Sequence, residues 1–97
     1  MENKVTKQKL EEYFKLTSSA LEKVKKNVAK EKSADAKEII EMVSNYLSDA
    51  NYFKKKNNFV NAFAAINYAH GWLDSGVRLK IFKVKDNKLF TVKRGKI

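Results

Sequence analysis

The sequence predicts a mainly α fold: an antiparallel three-helix bundle running up-down-up, followed by a short C-terminal β-hairpin. Two observations carry this. The 97 residues contain no Pro and only three Gly, so almost nothing interrupts a helix over the first three quarters of the chain. Apolar residues recur there at i, i+3 and i+4 in three successive stretches, and the period drops to two near the end. The length suits one domain, 1–97, and a 43% apolar share suits one core.

The first helix is expected over about 3–29, with Leu10, Tyr13, Phe14, Thr17, Leu21, Val24 and Val28 on one stripe. The stretch AKEKS then breaks the pattern. Ser33 reads as the next N-cap, with Asp35 in the first turn, where a carboxylate suits the helix dipole. The second helix, about 34–56, places Ala36, Ile39, Ile40, Val43, Tyr46, Leu47 and Ala50 on one face. Lys54, Lys55 and Lys56 suit its C-terminus, and Asn57-Asn58 reads as a turn followed by a new cap. Such short connections make neighbouring helices antiparallel.

The third helix, about 58–79, is apolar on two sides. Phe59, Phe63, Ile66, Leu73 and Val77 form one face, and Ala65, Tyr68, Trp72 and Leu79 the other. A helix of this kind is either sandwiched between neighbours or lends one face to another molecule. Gly71 joins Ala64, Asn67 and Ser75 in a strip of small residues, as expected where another helix approaches closely.

In the tail, residues 80–97, Ile81, Phe82, Val84, Leu89, Phe90 and Val92 alternate with Lys and Thr around Asp86-Asn87. A three-residue loop, Asp86-Asn87-Lys88, pairs Val84 with Phe90 and Phe82 with Val92, giving one apolar and one basic face. The alternative is a third helix prolonged through Phe82, with a frayed end.

The net charge of +10 is unevenly spread. Arg78, Lys80, Lys83, Lys85, Lys88, Lys93, Arg94 and Lys96 face Asp86 as the single acid after residue 77, so an anionic partner would bind there. With no Cys, disulfides and thiolate chemistry are excluded. The longest apolar run is five residues and the N-terminus lacks a signal-peptide core, so the reading is a soluble cytoplasmic protein without a membrane partner.

Catalytic sets are hard to assemble. His70 and Asp74, four apart, share a helix face and with Asn67 make a candidate ligand pocket, yet His70 also sits within an apolar stripe and reads as a buried neutral residue. A zinc site would need carboxylates for every other ligand, no Ser has a suitable base, and no Gly-rich phosphate loop occurs. Asp35, Glu38 and Glu41 read as a solvated face. The expectation is no catalytic or metal residues, no cofactor and no enzyme.

The run DANYFKKKNNFVNAFAAINYAHGWLDSGVRLKIF, residues 49–82, resembles a small archaeal family, domain of unknown function number 357. Asp49-Ala50, Tyr52-Phe53, Asn61-Ala62, Tyr68-Ala69 and Gly71-Trp72-Leu73-Asp74 running into Val77-Arg78-Leu79 carry the resemblance. It implies a compact helical bundle and no defined activity. It also implies Gly-Asp at the second turn and a Gly at position 80, where this chain has Asn57-Asn58 and Lys80. Helical-hairpin nucleases of the HEPN kind look for an Arg shortly before a His; no Arg precedes Arg78, so His70 does not complete that motif.

The leading functional expectation is a non-enzymatic helical module that binds protein and self-associates, with Tyr68, Trp72 and Leu79 as candidate interface residues. The alternatives are RNA or DNA binding through the basic C-terminal segment, and a small-ligand pocket around His70.

Overall fold

In the computed structural model, residues 5–85 and Phe90 are described. They form three helices: α1 (Lys7–Lys25), α2 (Ser33–Lys55) and α3 (Phe59–Arg78), with a single 3₁₀ turn at Lys30–Lys32.

Glu11 near the start of α1 pairs with Lys54 at the end of α2, 3.3 Å apart. Tyr46 stacks on Tyr68, and Ile39 lies beside Gly76 further along α3. Thr17 of α1 bonds to His70 of α3, and Val28 beyond α1 meets Phe82 beyond α3. These pairings fix the direction of each helix, α1 and α3 running one way and α2 the other. The up-down-up bundle is therefore as expected. α3 packs extensively on both partners, while α1 and α2 touch each other little. The third helix is the central one.

The apolar stripes account for the core. Leu10, Thr17, Leu21 and Val24 from α1 are buried, with Ala36, Ile39, Val43, Leu47 and Ala50 from α2. From α3 come Ala62, Ala65, Ile66, Ala69, Leu73 and Val77. Fully burying a side chain such as Leu or Ile stabilises by about 1.5–3 kcal/mol, so these stripes hold the helices together far more than helix propensity does.

The ends of the helices depart from the expectation in part. Thr6 caps α1, its hydroxyl accepting from Lys9 N–H at 3.1 Å. α1 stops at Lys25, four residues early, because the chain turns out to pair with the C-terminal segment. Ser33 is the first residue of α2 and not its cap; Lys32 occupies the cap position and no side chain caps this end. Asn58 caps α3 as anticipated, accepting from Asn61 N–H at 3.3 Å.

Both α2 and α3 end in the same hydrogen-bond pattern. Asn58 N–H reaches Phe53 O at 2.9 Å while Asn57 N–H reaches Lys54 O at 3.0 Å. At the end of α3, Ile81 N–H reaches Gly76 O at 2.9 Å while Lys80 N–H reaches Val77 O at 3.0 Å. This is the Schellman arrangement, which needs one residue in the left-handed region. Here those residues are Asn57, φ 59°, and Lys80, φ 63°. They are the two places where the family resemblance implies a Gly.

The expected hairpin is not seen. No strand occurs among the described residues, and Phe82 bridges antiparallel to Val28. Ala29 N–H donates to Ile81 O at 2.9 Å, and Lys83 N–H donates to Asn27 O at 2.7 Å. The alternating stretch satisfies its backbone against the α1–α2 connection, which places Ile81 and Phe82 in the core. Phe82 is among the largest fully buried side chains, and Phe90 is buried as well. The remainder of the expected hairpin, residues 86–89 and 91–97, lies outside the described residues.

Candidate functional site

Three regions contain the residues singled out from sequence, and the structure separates them. The first is the seam between α1 and α3. Thr17 is fully buried, and its hydroxyl lies 2.9 Å from His70 Nδ1. His70 Nε2 lies 3.9 Å from Asp74 Oδ1, one turn further along α3. The Thr17 hydroxyl and Nδ1 share this hydrogen bond, and the Asp74 carboxylate lies near the ring's other nitrogen. The Tyr13 ring stacks on His70 with centroids 5.8 Å apart and meets Phe63 at 5.1 Å. Burial pushes the Tyr13 phenol above its usual pKa of 10.0, and the nearby Asp74 carboxylate pushes the same way.

Asn67 does not join this group. It is exposed and lines a shallow hollow on the outer side of α3 with Tyr68, Gly71, Trp72 and Ser75. The three residues of the expected pocket, His70, Asp74 and Asn67, do not converge. Asn67 lies about 60° round the helix from His70, far enough to line the outer hollow while His70 turns into the seam with α1. His70 instead packs as an interhelical hydrogen-bonding residue. Thr17 was visible in the sequence only as a stripe member; a Thr in an apolar stripe opposite a stripe containing a His is the signal for this pair. Among the described residues no group of three or more His, Asp or Glu converges as metal ligands. Asp35, Glu38 and Glu41 are exposed.

The outer side of α3 is the second region. Tyr68 is 63% exposed, Trp72 41% and Leu79 67%. Between Tyr68 and Trp72 the surface dips at Gly71, where an added Cβ would meet nothing within 4 Å. The strip of small residues, expected beneath another helix, faces away from the other helices of its own chain. Tyr46 supports one edge by stacking on Tyr68, centroids 5.6 Å apart. From Phe59 to Val77 the helix carries no Lys or Arg.

The third is a cleft of about 650 Å³ at the end of α3, lined by Val77, Arg78, Lys80, Phe82, Lys83, Val84 and Lys85. Four of the eight basic residues expected to meet an anion are therefore gathered in one place. The other four, Lys88, Lys93, Arg94 and Lys96, lie outside the described residues.

A family model described as protein of unknown function (DUF357) matches residues 12–82. The chain belongs to this family. The DUF357 match takes in all but the first turn of α1, the whole of α2 and α3, and ends at Phe82, the side chain that fills the gap between the helix ends. The helical bundle with its Phe82 closure is thus the unit to which the DUF357 description applies, and it names no activity. No curated protein and no solved structure matches the chain. No helix among the described residues is long and apolar enough to cross a membrane.

Proposed function

We propose that this protein is a non-enzymatic helical module that self-associates through the outer side of α3. The single observation that carries the reading is the exposed ridge of Tyr68, Trp72 and Leu79 beside the open dip at Gly71. Large aromatics anchor interfaces when they enter a desolvated pocket, and this face offers both anchor and pocket. A two-fold crossing of α3 on α3 near Gly71 places each Trp72 against the hollow of the other copy, which makes the surface self-complementary. Charge supports the same occupant. The whole chain is strongly basic, but α3 carries no Lys or Arg from Phe59 to Val77, so two copies crossing near Gly71 bring no cation of α3 into the crossing itself.

The test uses the chain's single Trp. Sedimentation equilibrium of the full chain should give a dimer, and Trp72 emission should move to shorter wavelength as concentration rises. Gly71→Glu places a charge in the hollow where the monomer has open space. It should abolish the dimer and leave the dilute-solution melting temperature (Tm) unchanged or higher. A wild-type chain that remains a monomer at high concentration, with constant Trp72 emission, defeats the proposal.

A further inference from the structure

The cleft at the end of α3 is built differently from the outer face of that helix. Its described lining contains four cations and no acid, over a floor of Val77, Phe82 and Val84. Its volume of about 650 Å³ falls in the range of small-molecule sites, roughly 300–1,000 Å³. The walls are held by backbone hydrogen bonds. Ile81 N–H to Gly76 O closes the helix end, and Lys83 N–H to Asn27 O pins the extended segment at 2.7 Å. Along that segment Phe82 is buried, Lys83 exposed, Val84 half-buried and Lys85 exposed, so apolar and cationic groups alternate across the cleft.

Lys80 supplies a second and independent observation. It occupies the left-handed position of the helix cap, φ 63°, where Gly fits at no steric cost and a residue with a Cβ is strained. Among the described residues its ammonium forms no ion pair that would offset the strain. A strained backbone position that carries a charge into a cleft points to a role outside folding.

We propose that this cleft binds an amphipathic anion, a small molecule with an aliphatic body and a terminal phosphate or carboxylate. The body lies on the half-buried Val84 and the rim of Val77, above the closed surface of Phe82, and the headgroup is held by Arg78, Lys80, Lys83 and Lys85. Arg78 offers the planar donor fork that suits either headgroup. The floor favours this ligand over a nucleic acid. Phe82 is the one aromatic among the described lining residues, and its ring is 1% exposed, so no base can stack on it.

The experiment is a titration of the full chain, followed by amide chemical shifts and calorimetry, with octyl phosphate and with octanoate. Inorganic phosphate, octyl glucoside and a single-stranded RNA oligonucleotide serve as comparators. The two octyl anions should perturb residues 77–85, bind more weakly as salt rises, and exceed phosphate and glucoside by roughly tenfold or more. Whichever headgroup binds more tightly identifies the charge the site prefers. Lys80→Gly separates ligand binding from folding. It should raise the Tm by roughly 4–8 °C through relief of the strained cap and weaken both anions by roughly two- to fivefold. A purely structural Lys80 would leave their affinity unchanged, and that result overturns the proposal. So does equal binding of phosphate or glucoside, tighter binding of the RNA at residues 77–85, or no binding because the chain's own C-terminal residues fill the cleft.

Discussion

Gly76→Ala sets two effects of opposite sign against each other. In a helix interior Ala is favoured over Gly by about 0.8–1.0 kcal/mol. A Cβ at Gly76, however, would lie 2.5 Å from Phe82 Cε2, 2.7 Å from Phe82 Cδ2 and 3.3 Å from Ile39 Cδ1. The Phe82 ring cannot swing aside into solvent, being fully buried, and its backbone is tied to Gly76 and flanked by the Lys83–Asn27 hydrogen bond. Accommodation must move the whole bridge. Overpacking of this kind costs about 1–3 kcal/mol, and two contacts below 3 Å with a fully buried ring put this case in the upper half, about 2–3 kcal/mol. That leaves a net loss of about 1–2 kcal/mol after the propensity gain. At about 4–8 °C per kcal/mol for a chain of this size, the Tm should fall by roughly 5–15 °C. Gly71→Ala is the internal control: the added methyl meets open space, so only the propensity gain remains and the Tm should rise by about 4–8 °C. Thermal and urea denaturation by far-ultraviolet circular dichroism, in dilute solution, measures both. A Gly76→Ala chain as stable as the parent would refute the argument that Gly76 is there to admit Phe82.

Other substitutions test the α1–α3 seam and the closure. Thr17→Val leaves His70 Nδ1 without its hydrogen-bond partner and should destabilise by about 1–3 kcal/mol in urea denaturation, while Thr17→Ser recovers most of the loss. The raised Tyr13 pKa means the folded chain holds that proton above pH 10.0 where the unfolded chain releases it, so this contribution is complete below pH 10.0 and is lost as pH rises through the folded value. Tyr13→Phe should therefore flatten part of the alkaline fall in stability, and an unchanged slope would remove Tyr13 from it. Phe82→Ala should cost about 3–5 kcal/mol, read from the urea midpoint. Glu11→Gln, by contrast, removes a partly exposed ion pair and should change stability by less than about 1 kcal/mol, with no effect in high salt.

What could be read from the sequence followed its periodicity. The buried positions Ile39, Val43, Leu47 and Ala50 fall where a 3.6-residue repeat places them, and Asn58 caps α3 as its side chain suggests. The tail shows where periodicity stops. Alternation identified an extended segment with Phe82 and Val84 on the apolar side, but nothing local says which strand will pair with it. The partner was Asn27–Ala29, far away in the chain, and the loss of that stretch from α1 shortened the first helix. The Ser33 cap failed because a 3₁₀ turn delivers the chain into α2 already helical. At the candidate sites, side-chain direction decided. The one-turn spacing of His70 and Asp74 was legible, whereas which of these neighbouring positions turns into the α1 seam and which, like Asn67, stays on the exposed edge was not. The cleft was legible only as a charge count, since its shape depends on the cap at Lys80 and on the segment that follows it.

Phe82 sets a timetable as well as a contact. On a growing chain α1 and α2 are complete while the residue that fills the gap between the helix ends is still to be synthesised. Until it emerges, Gly76 lacks the ring that packs on it, and the helices have only their own stripes to hold them. Closing the bridge between Val28 and Phe82 is thus a late step that ties the last residue of the family unit to the α1–α2 connection. It also dictates how the basic tail can be removed. A chain cut at Lys80 loses Ile81 and Phe82 with the lysines, and any loss of binding would then report an unstoppered bundle.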